Sequence, residues 1–421
     1  MQPLFHNYPM SKKKKSFLVL DIGSSSVKAL AGVVGQGGFV SINALFKMPS
    51  RGMRKGAVSD ADEVAGAINQ VLHEAGNAEN DAHSVIFVNI GGAGAKAQAS
   101  RGIVAVSRAD SQIQHDDIAR VDQAAQAVAV PANRVVIHFI NQEYAVDGVT
   151  GIKNPLGMVG NRLELTSMVI DVFEPAKAAL LRALEVAGGE DIVPFFGPLA
   201  SSQSVLTKNQ RDLGVALVDI GADVTSLTVY EDGKLLHVAA FPMGAANVTN
   251  DIAIGLTISI GAAEAVKRMC GSALEKDVPA REMIDLQKMD ARAGGMAPRR
   301  LVAHIIEIRM AEIFEFINAE LKKIRKDERL PAGVVLVGGG AKLVDIVELA
   351  RRELRLPVQL GLPDVSRIDV SHGDVALKLE DPEFACAVGL VLAARDHGLV
   401  AERSHEGVKM VFKKLVNYFM P

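Results

Sequence analysis

The sequence predicts a duplicated, two-domain α/β fold that carries a small inserted subdomain and ends in an amphipathic helix. Three observations lead there. The word apolar-Asp-Ile-Gly occurs twice, as Leu20-Asp21-Ile22-Gly23 and Val218-Asp219-Ile220-Gly221, the second aspartate 198 positions after the first. Each copy ends a short apolar strand and leads into a β-hairpin, and the word repeated together with its hairpin points to a duplicated architecture. Between the copies, 92–170 has its own rhythm of strands and one helix. After Glu406 the chain places apolar and basic residues at helical spacing with no further acid.

In chain order, 1–15 reads as a disordered leader whose basic run, Lys12 to Lys15, is followed by too few apolar residues for a signal peptide. Residues 17–22 read as an apolar strand, Gly23 to Ser26 as a small-residue turn, and 27–34 and 39–46 as two further antiparallel strands. Val64, Ile68, Val71 and Leu72 share one face of a helix over 60–75 with Ser59 as its N-cap, and 84–90 is the next strand. The insert reads as strand 102–107, helix 116–129 and strands 134–144 and 161–173. A helix at 175–187 returns the chain to a strand at 213–220, and a hairpin over 225–230 and 234–241 turns at Glu231-Asp232-Gly233. Helices follow at 258–268 and 300–329, the latter amphipathic through Val302, Ile305, Ile306, Ile313, Ile317, Leu321 and Ile324 and stopped by Pro331. A strand at 333–337 runs into Gly338-Gly339-Gly340 and a helix at 343–354. Beyond a polar, loose linker at 395–407, Val408, Val411, Phe412, Leu415 and Phe419 form one face of the last helix. Lys409, Lys413 and Lys414 form the other.

Composition narrows the function classes. The net charge is −3 on 46 basic and 49 acidic side chains, so no global field draws the chain onto nucleic acid. The average conceals seven lysines in the two terminal segments, which leaves 39 basic against 49 acidic groups in an acidic body. Cys270 and Cys386 are the only cysteines, too few for a structural zinc site or a disulfide framework, and the compartment indicated is the reducing cytosol. The longest uncharged stretch, 29–46, holds four glycines and is too polar to span a membrane.

An aspartate at a strand end followed by a small-residue turn gathers backbone N–H groups that suit phosphate oxygens, while the carboxylate holds Mg²⁺ through waters. Asp21 with Gly23, Ser24, Ser25, Ser26 and Lys28 makes one such jaw, and Asp219 with Gly221 and Thr225 the second. Two jaws across a cleft would grip a nucleoside triphosphate from both sides. Gly338, Gly339 and Gly340 let a flat ligand approach the backbone, and Glu264 and Lys267, one turn apart, either reach a ribose or base edge or form a surface ion pair. Gly92-Ala93-Gly94 imitates a dinucleotide fingerprint, but the next strand follows too soon for its helix. His138, His304 and His372 have no ligand spacing and read as packed or surface residues.

These residues resemble the actin-like ATPase superfamily, with its ribonuclease H-like core, and within it the FtsA family of bacterial cell-division proteins. The two Asp-Ile-Gly words look like its phosphate motifs and Val337-Gly338-Gly339-Gly340-Ala341 like its adenosine motif. Gly197-Pro198-Leu199-Ala200-Ser201 and 385–393 look like the two interdomain helices. More specific are Asp147-Gly148, the run from Gly151 to Met158, Leu163-Glu164, the run from Asp251 to Leu256, and Ala263-Glu264. The resemblance implies subdomain IA at 16–91 and 171–212, an IC subdomain at 92–170, IIA at 213–246 and 331–396, IIB at 247–330, and a linker with a membrane-targeting helix at 397–421. It implies a protein that binds ATP and Mg²⁺, self-associates into filaments, binds the tubulin-like ring protein FtsZ through IIB and recruits later division proteins through IC. It also implies attachment to the anionic inner membrane at the septum by the terminal helix. Asp223 and Val224, where the family tends to have a glycine and a threonine, and Ala245-Ala246 in place of Gly-Asp, imply binding with weak or absent hydrolysis. The competing readings are a pilus-assembly adaptor of the same fold, which has no membrane tail, and a small-molecule kinase, which needs a catalytic base.

Overall fold

Residues 15–35, 38–78, 85–290, 293–366, 368–370 and 373–404 are described by a computed structural model. In the first sheet, β1 (Lys15–Ile22), β2 (Ser26–Val34) and β3 (Val40–Pro49) form an antiparallel meander. The short hairpin β4–β5 (Met53–Arg54 and Ala57–Val58) leads to α1 (Ala61–Ala78) and to β6 (Val85–Ile90), which pairs parallel with β1. Asp60 rather than Ser59 caps α1: its Oδ1 accepts from the N–H groups of Asp62 and Glu63 at 3.1 Å, while the Ser59 hydroxyl donates to Gly52 O.

The insert comprises β7 (Lys96–Ala105), α2 (His115–Gln126), β8 (Arg134–Val146), β9 (Val149–Ile152) and β10 (Arg162–Phe173), in sheet order β7-β10-β8-β9. It has its own small core around Val106, Ile113, Val121, Leu163 and Leu165. Its specific sequence words serve local structure. Asp147, at φ 48°, accepts the N–H groups of Asn161 and Arg162, and buried Glu164 pairs with Arg101 and Arg162. β10 then runs into the first domain, followed by α3 (Glu174–Val186), β11 (Ile192–Phe196), α4 (Gly197–Val205) and α5 (Lys208–Leu213).

The second half repeats the first. β12 (Val215–Ile220) pairs antiparallel with β13 (Thr225–Glu231) and parallel with β17 (Val334–Val337), as β1 pairs with β2 and β6. β14 (Lys234–Phe241) extends that sheet, and α6 (Ala245–Leu256), α7 (Ile260–Cys270), the hairpin β15–β16 (Met283–Asp285 and Met296–Pro298) and α8 (Arg299–Lys323) build the lobe above it. The conspicuous Asp251 holds Arg309 of α8 at 2.6 Å. The chain ends through α9 (Ile346–Leu354), β18 (Val358–Leu360), β19 (Ile368–Val370), α10 (Gly373–Leu379) and α11 (Ala385–Ser404).

Several expectations need correction. α8 stops at Lys323, not 329, because Arg325 and Glu328 adopt positive φ of 58° and 56°. The helix after the glycine triplet starts at Ile346, since residues 339–342 first form a 3₁₀ turn. The stretch 331–396 does not stay in the second domain. β19 pairs parallel with β3 in the first sheet, and α11 packs on β1 and β2. The loose linker expected from 395 is helical through Ser404, and buried His397 meets Phe87 edge-on at 5.6 Å. His138, partly buried, accepts the Phe196 N–H at Nε2, and desolvation pushes its pKa down to about 4. His304 pairs with Glu275 on the surface. His372, the leader before Lys15 and the terminal helix bearing Val408 to Phe419 lie outside the described residues.

α4 and α11 cross between the domains, and their approach depends on Gly389. A Cβ there would stand 1.9 Å from Ala200 O, inside any real contact. Buried serines tie the crossing: Ser204 Oγ donates to Ala385 O at 2.7 Å, and Ser202 Oγ meets the Tyr230 hydroxyl at 2.7 Å. Gly389→Val should therefore lower stability by about 3 kcal/mol or more through backbone overpacking. A urea-unfolding midpoint equal to wild type would contradict this close contact.

Candidate functional site

A cleft of about 860 Å³ opens between the two domains. Its floor is set by strand register. Antiparallel pairing places Asp21 opposite Lys28, whose Nζ reaches Asp21 Oδ2 at 2.9 Å. Burial opposes the lysine's charge, but the Asp21 carboxylate outweighs it and holds the pKa above its usual value. Lys28 also lies 5.7 Å above the centre of the Phe384 ring. Asn89, at the end of β6, braces the same carboxylate. Its Nδ2 donates to Asp21 Oδ1 at 2.9 Å and its Oδ1 accepts the Ile22 N–H at 2.8 Å.

In the second domain the same register places Ser226, not a lysine, opposite Asp219. Asp219 instead accepts from Ser201 Oγ of α4 at 2.9 Å. Desolvation, offset in part by that hydrogen bond, and the nearby Asp21 charge push its pKa up. The floor thus carries two carboxylates and one ammonium, with the Cys386 thiol beside them held protonated by burial and by both aspartates.

The two turns have one geometry. Gly23 N–H donates to Ser26 O at 3.1 Å, and Gly221 N–H to Val224 O at 2.9 Å. Both turns line the cleft. Gly244 lets α6 seat directly on the second turn, so that the Ala245 and Ala246 N–H groups bond Gly221 O and Ala222 O at 2.9 and 2.8 Å. The residues at the departing positions therefore brace the turn. Gly338 has φ 86°, and a Cβ there would meet Asp219 Oδ1 at 2.4 Å, so glycine is required twice over. Gly339 faces open space in the cleft, whereas Gly340 packs on Ile220.

The structure brings Asp21, Gly23, Ser24, Ser25, Ser26, Lys28, Asp219, Gly221, Glu264, Lys267, Gly338, Gly339 and Gly340 to this one cleft. Thr225 is the exception. It takes the register position of Val27 in the first hairpin, so its side chain points into the core, fully buried, with Oγ1 unpaired. Ser226 takes the cleft position. Glu264 and Lys267 form an ion pair at 2.6 Å in the cleft wall, and Lys267, buried rather than on the surface, spends its other donors on Ala245 O and Thr249 Oγ1. Asp223 does not aim at the turn it follows. Its Oδ2 accepts the Lys55 N–H from the other domain at 2.9 Å. Asn89 and Ser226 carry no motif and are identified by position alone, and Ser201 belongs to the connecting-helix word but enters the site only because α4 docks beside Asp219.

Comparison with known proteins gives a consistent picture. The family model described as Cell division protein FtsA matches residues 216–389, and one described as SHS2 domain inserted in FTSA matches residues 92–170. The Cell division protein FtsA of Pseudomonas aeruginosa is 34% identical over 396 residues, covering 94% of this chain and 92% of its own. Those of Bacillus subtilis and Escherichia coli are 32% and 30% identical, over 89% and 93% of this chain and 82% and 93% of their own. Among solved structures, a PilM-PilN type IV pilus biogenesis complex superposes with a TM-score of 0.62 at 20% identity, covering 91% of this chain and 99% of the other. MreB5 of Spiroplasma citri bound to ADP gives 0.53 at 11% identity, covering 93% and 99%. The fold is actin-like.

The buried acid pair makes a pH prediction. Because the folded-state pKa of Asp219 is raised above 3.8, the folded protein holds a proton that the unfolded chain has lost. Its contribution to stability therefore falls as pH rises through that window. In chelator at neutral pH, Asp219→Asn should raise the melting temperature by a few degrees, and the gain should vanish near pH 4. A melting temperature lowered at both pH values would refute the assignment.

Proposed function

Because the chain belongs to the FtsA family of cell-division proteins, we propose that it is a nucleotide-dependent, filament-forming tether between the division ring and the inner membrane. The observation that carries the nucleotide part is the pair of matching turns, each behind an aspartate, on opposite walls of one cleft. Their backbone N–H groups and Lys28 receive the phosphates of ATP. The floor's excess of carboxylate over ammonium suits Mg²⁺ held through waters by Asp21 and Asp219. Among the described residues no group of three or more His, Cys, Asp or Glu side chains forms a metal cage, which fits an ion bound chiefly by water and phosphate. The open face of Gly339 receives the adenosine, with Glu264 an acceptor for a ribose hydroxyl. MreB5, which shares the fold alone, is solved with ADP and with AMPPNP, and the adenine base is proposed here by that analogy.

The remaining parts rest on family membership. The lobe at 247–330 binds FtsZ, the insert at 92–170 recruits later division proteins, and like copies assemble into filaments. The terminal helix, with Val408, Val411, Phe412, Leu415 and Phe419 inward and Lys409, Lys413 and Lys414 toward anionic headgroups, holds the membrane. Three lysines contribute about 1 kcal/mol each at such a surface, so one tail binds reversibly and an array of tails persists. No described helix is long and apolar enough to cross a membrane, which is consistent with peripheral attachment.

A kinase reading finds little support. The cleft carboxylates are engaged: Asp21 with Lys28 and Asn89, Asp219 with Ser201, Asp223 with the Lys55 N–H, and Glu264 with Lys267 and Thr249. None stands ready to deprotonate an acceptor hydroxyl, and weak or absent hydrolysis follows for water as well. The likeness to the pilus complex, at 20% identity, shows the fold alone.

Flotation with anionic liposomes in Mg·ATP tests the tether. The full chain should float and carry purified FtsZ filaments with it, and a truncation after Glu406 should stay at the bottom. Gly339→Asp, which fills the nucleotide face, should float several-fold less at limiting lipid. Equal flotation of the truncation contradicts the membrane reading, and equal flotation of Gly339→Asp contradicts the nucleotide-dependent filament.

A further inference from the structure

The mouth of the cleft is bridged by a contact that no motif announces. The β4–β5 hairpin of the first domain reaches over the phosphate turns. At its tip Lys55, in the left-handed region at φ 52°, donates its backbone N–H to Asp223 Oδ2 of the second domain at 2.9 Å. The next residue, Gly56, has φ 72°, and its N–H lies 3.4 Å from Ser24 Oγ of the first turn. A Cβ on Gly56 would stand 2.9 Å from Val224 of the second turn and 2.9 Å from the Gly92 backbone. One hairpin tip therefore touches both turns at once. The residues it meets in the second domain are Asp223 and Val224.

We infer that Asp223 is a clasp residue: through the Lys55 N–H it holds the domains closed over the bound nucleoside triphosphate and sets how fast that ligand leaves. The inference rests on the nucleotide reading above. A carboxylate beside the phosphate turns would repel a triphosphate if it pointed at the turn. Directed across the cleft onto an N–H group, its charge strengthens an interdomain hydrogen bond instead. Release requires the domains to part at the mouth of the cleft, and parting breaks this bond. The contact is exposed, so water competes for both partners and the clasp opens readily. It slows release without locking the cleft. A separate tie between the domains runs through Glu383, which pairs with Lys47 of the first sheet and lies 3.8 Å from Lys342 of the second domain.

The test follows the release of a fluorescent ATP analogue from the full chain, chased with excess unlabelled Mg·ATP. Asp223→Ala should release roughly five-fold faster, as expected for loss of a solvent-exposed, charge-assisted hydrogen bond. Asp223→Asn, which keeps an acceptor oxygen but not the charge, should fall between. Melting curves matching wild type in the absence of nucleotide show that the variants fold. Retention by wild type with unchanged release from Asp223→Ala overturns the clasp and leaves the nucleotide reading standing. No retention by wild type overturns both.

Discussion

The cleft floor holds two aspartates, Asp21 and Asp219, against a single ammonium, Lys28, and much of the site's architecture serves that imbalance. Carboxylates at this depth cost several kcal/mol unless each finds partners. Asp21 accepts hydrogen bonds from the Asn89 and Lys28 side chains, with the Cys386 thiol lining the cleft beside it. Asp219 has Ser201 and the tight cover of Gly338. Every one of these partners comes from a different element, so the two domains, both connecting helices and the adenosine turn must all be in place before the floor is electrostatically tolerable. The residual negative charge is the feature on which the proposed divalent cation rests.

The connecting helices explain how the domains stay together while remaining separable. α4 and α11 touch at Ala200 and Gly389, backbone against side-chain-free backbone, in a core shared by both sheets. The insert adds a tie of another kind: Glu143 and Gln142 on β8 reach Lys234 and Leu235 O on β14.

Much of this was readable in advance, because the repeated word fixes both strand ends and both turns, and Gly338 is unavoidable once an aspartate lies behind it. Thr225 shows the limit. A local motif assigns it to the site, whereas β alternation turns it inward and presents Ser226. Asn89 and Ser201 contribute their side chains through parallel pairing and helix docking, neither of which leaves a periodic trace in the sequence. β19 is three residues long and joins the first sheet from the far end of the chain, too short to be recognised without its partner strand. Asp223 was legible as a carboxylate near phosphates but not as an acceptor for the opposite domain, since its partner is a backbone group 168 residues away.

The central claim is that paired acidic turns grip a magnesium nucleotide between the domains. A crystal structure of the full chain grown with Mg²⁺ and ATP tests it most directly. The account predicts a triphosphate lying between residues 23–26 and 221–224, a hydrated divalent ion between Asp21 and Asp219, and the adenosine against Gly339. A nucleotide bound elsewhere, or a cleft that stays empty at saturating ATP, would contradict it.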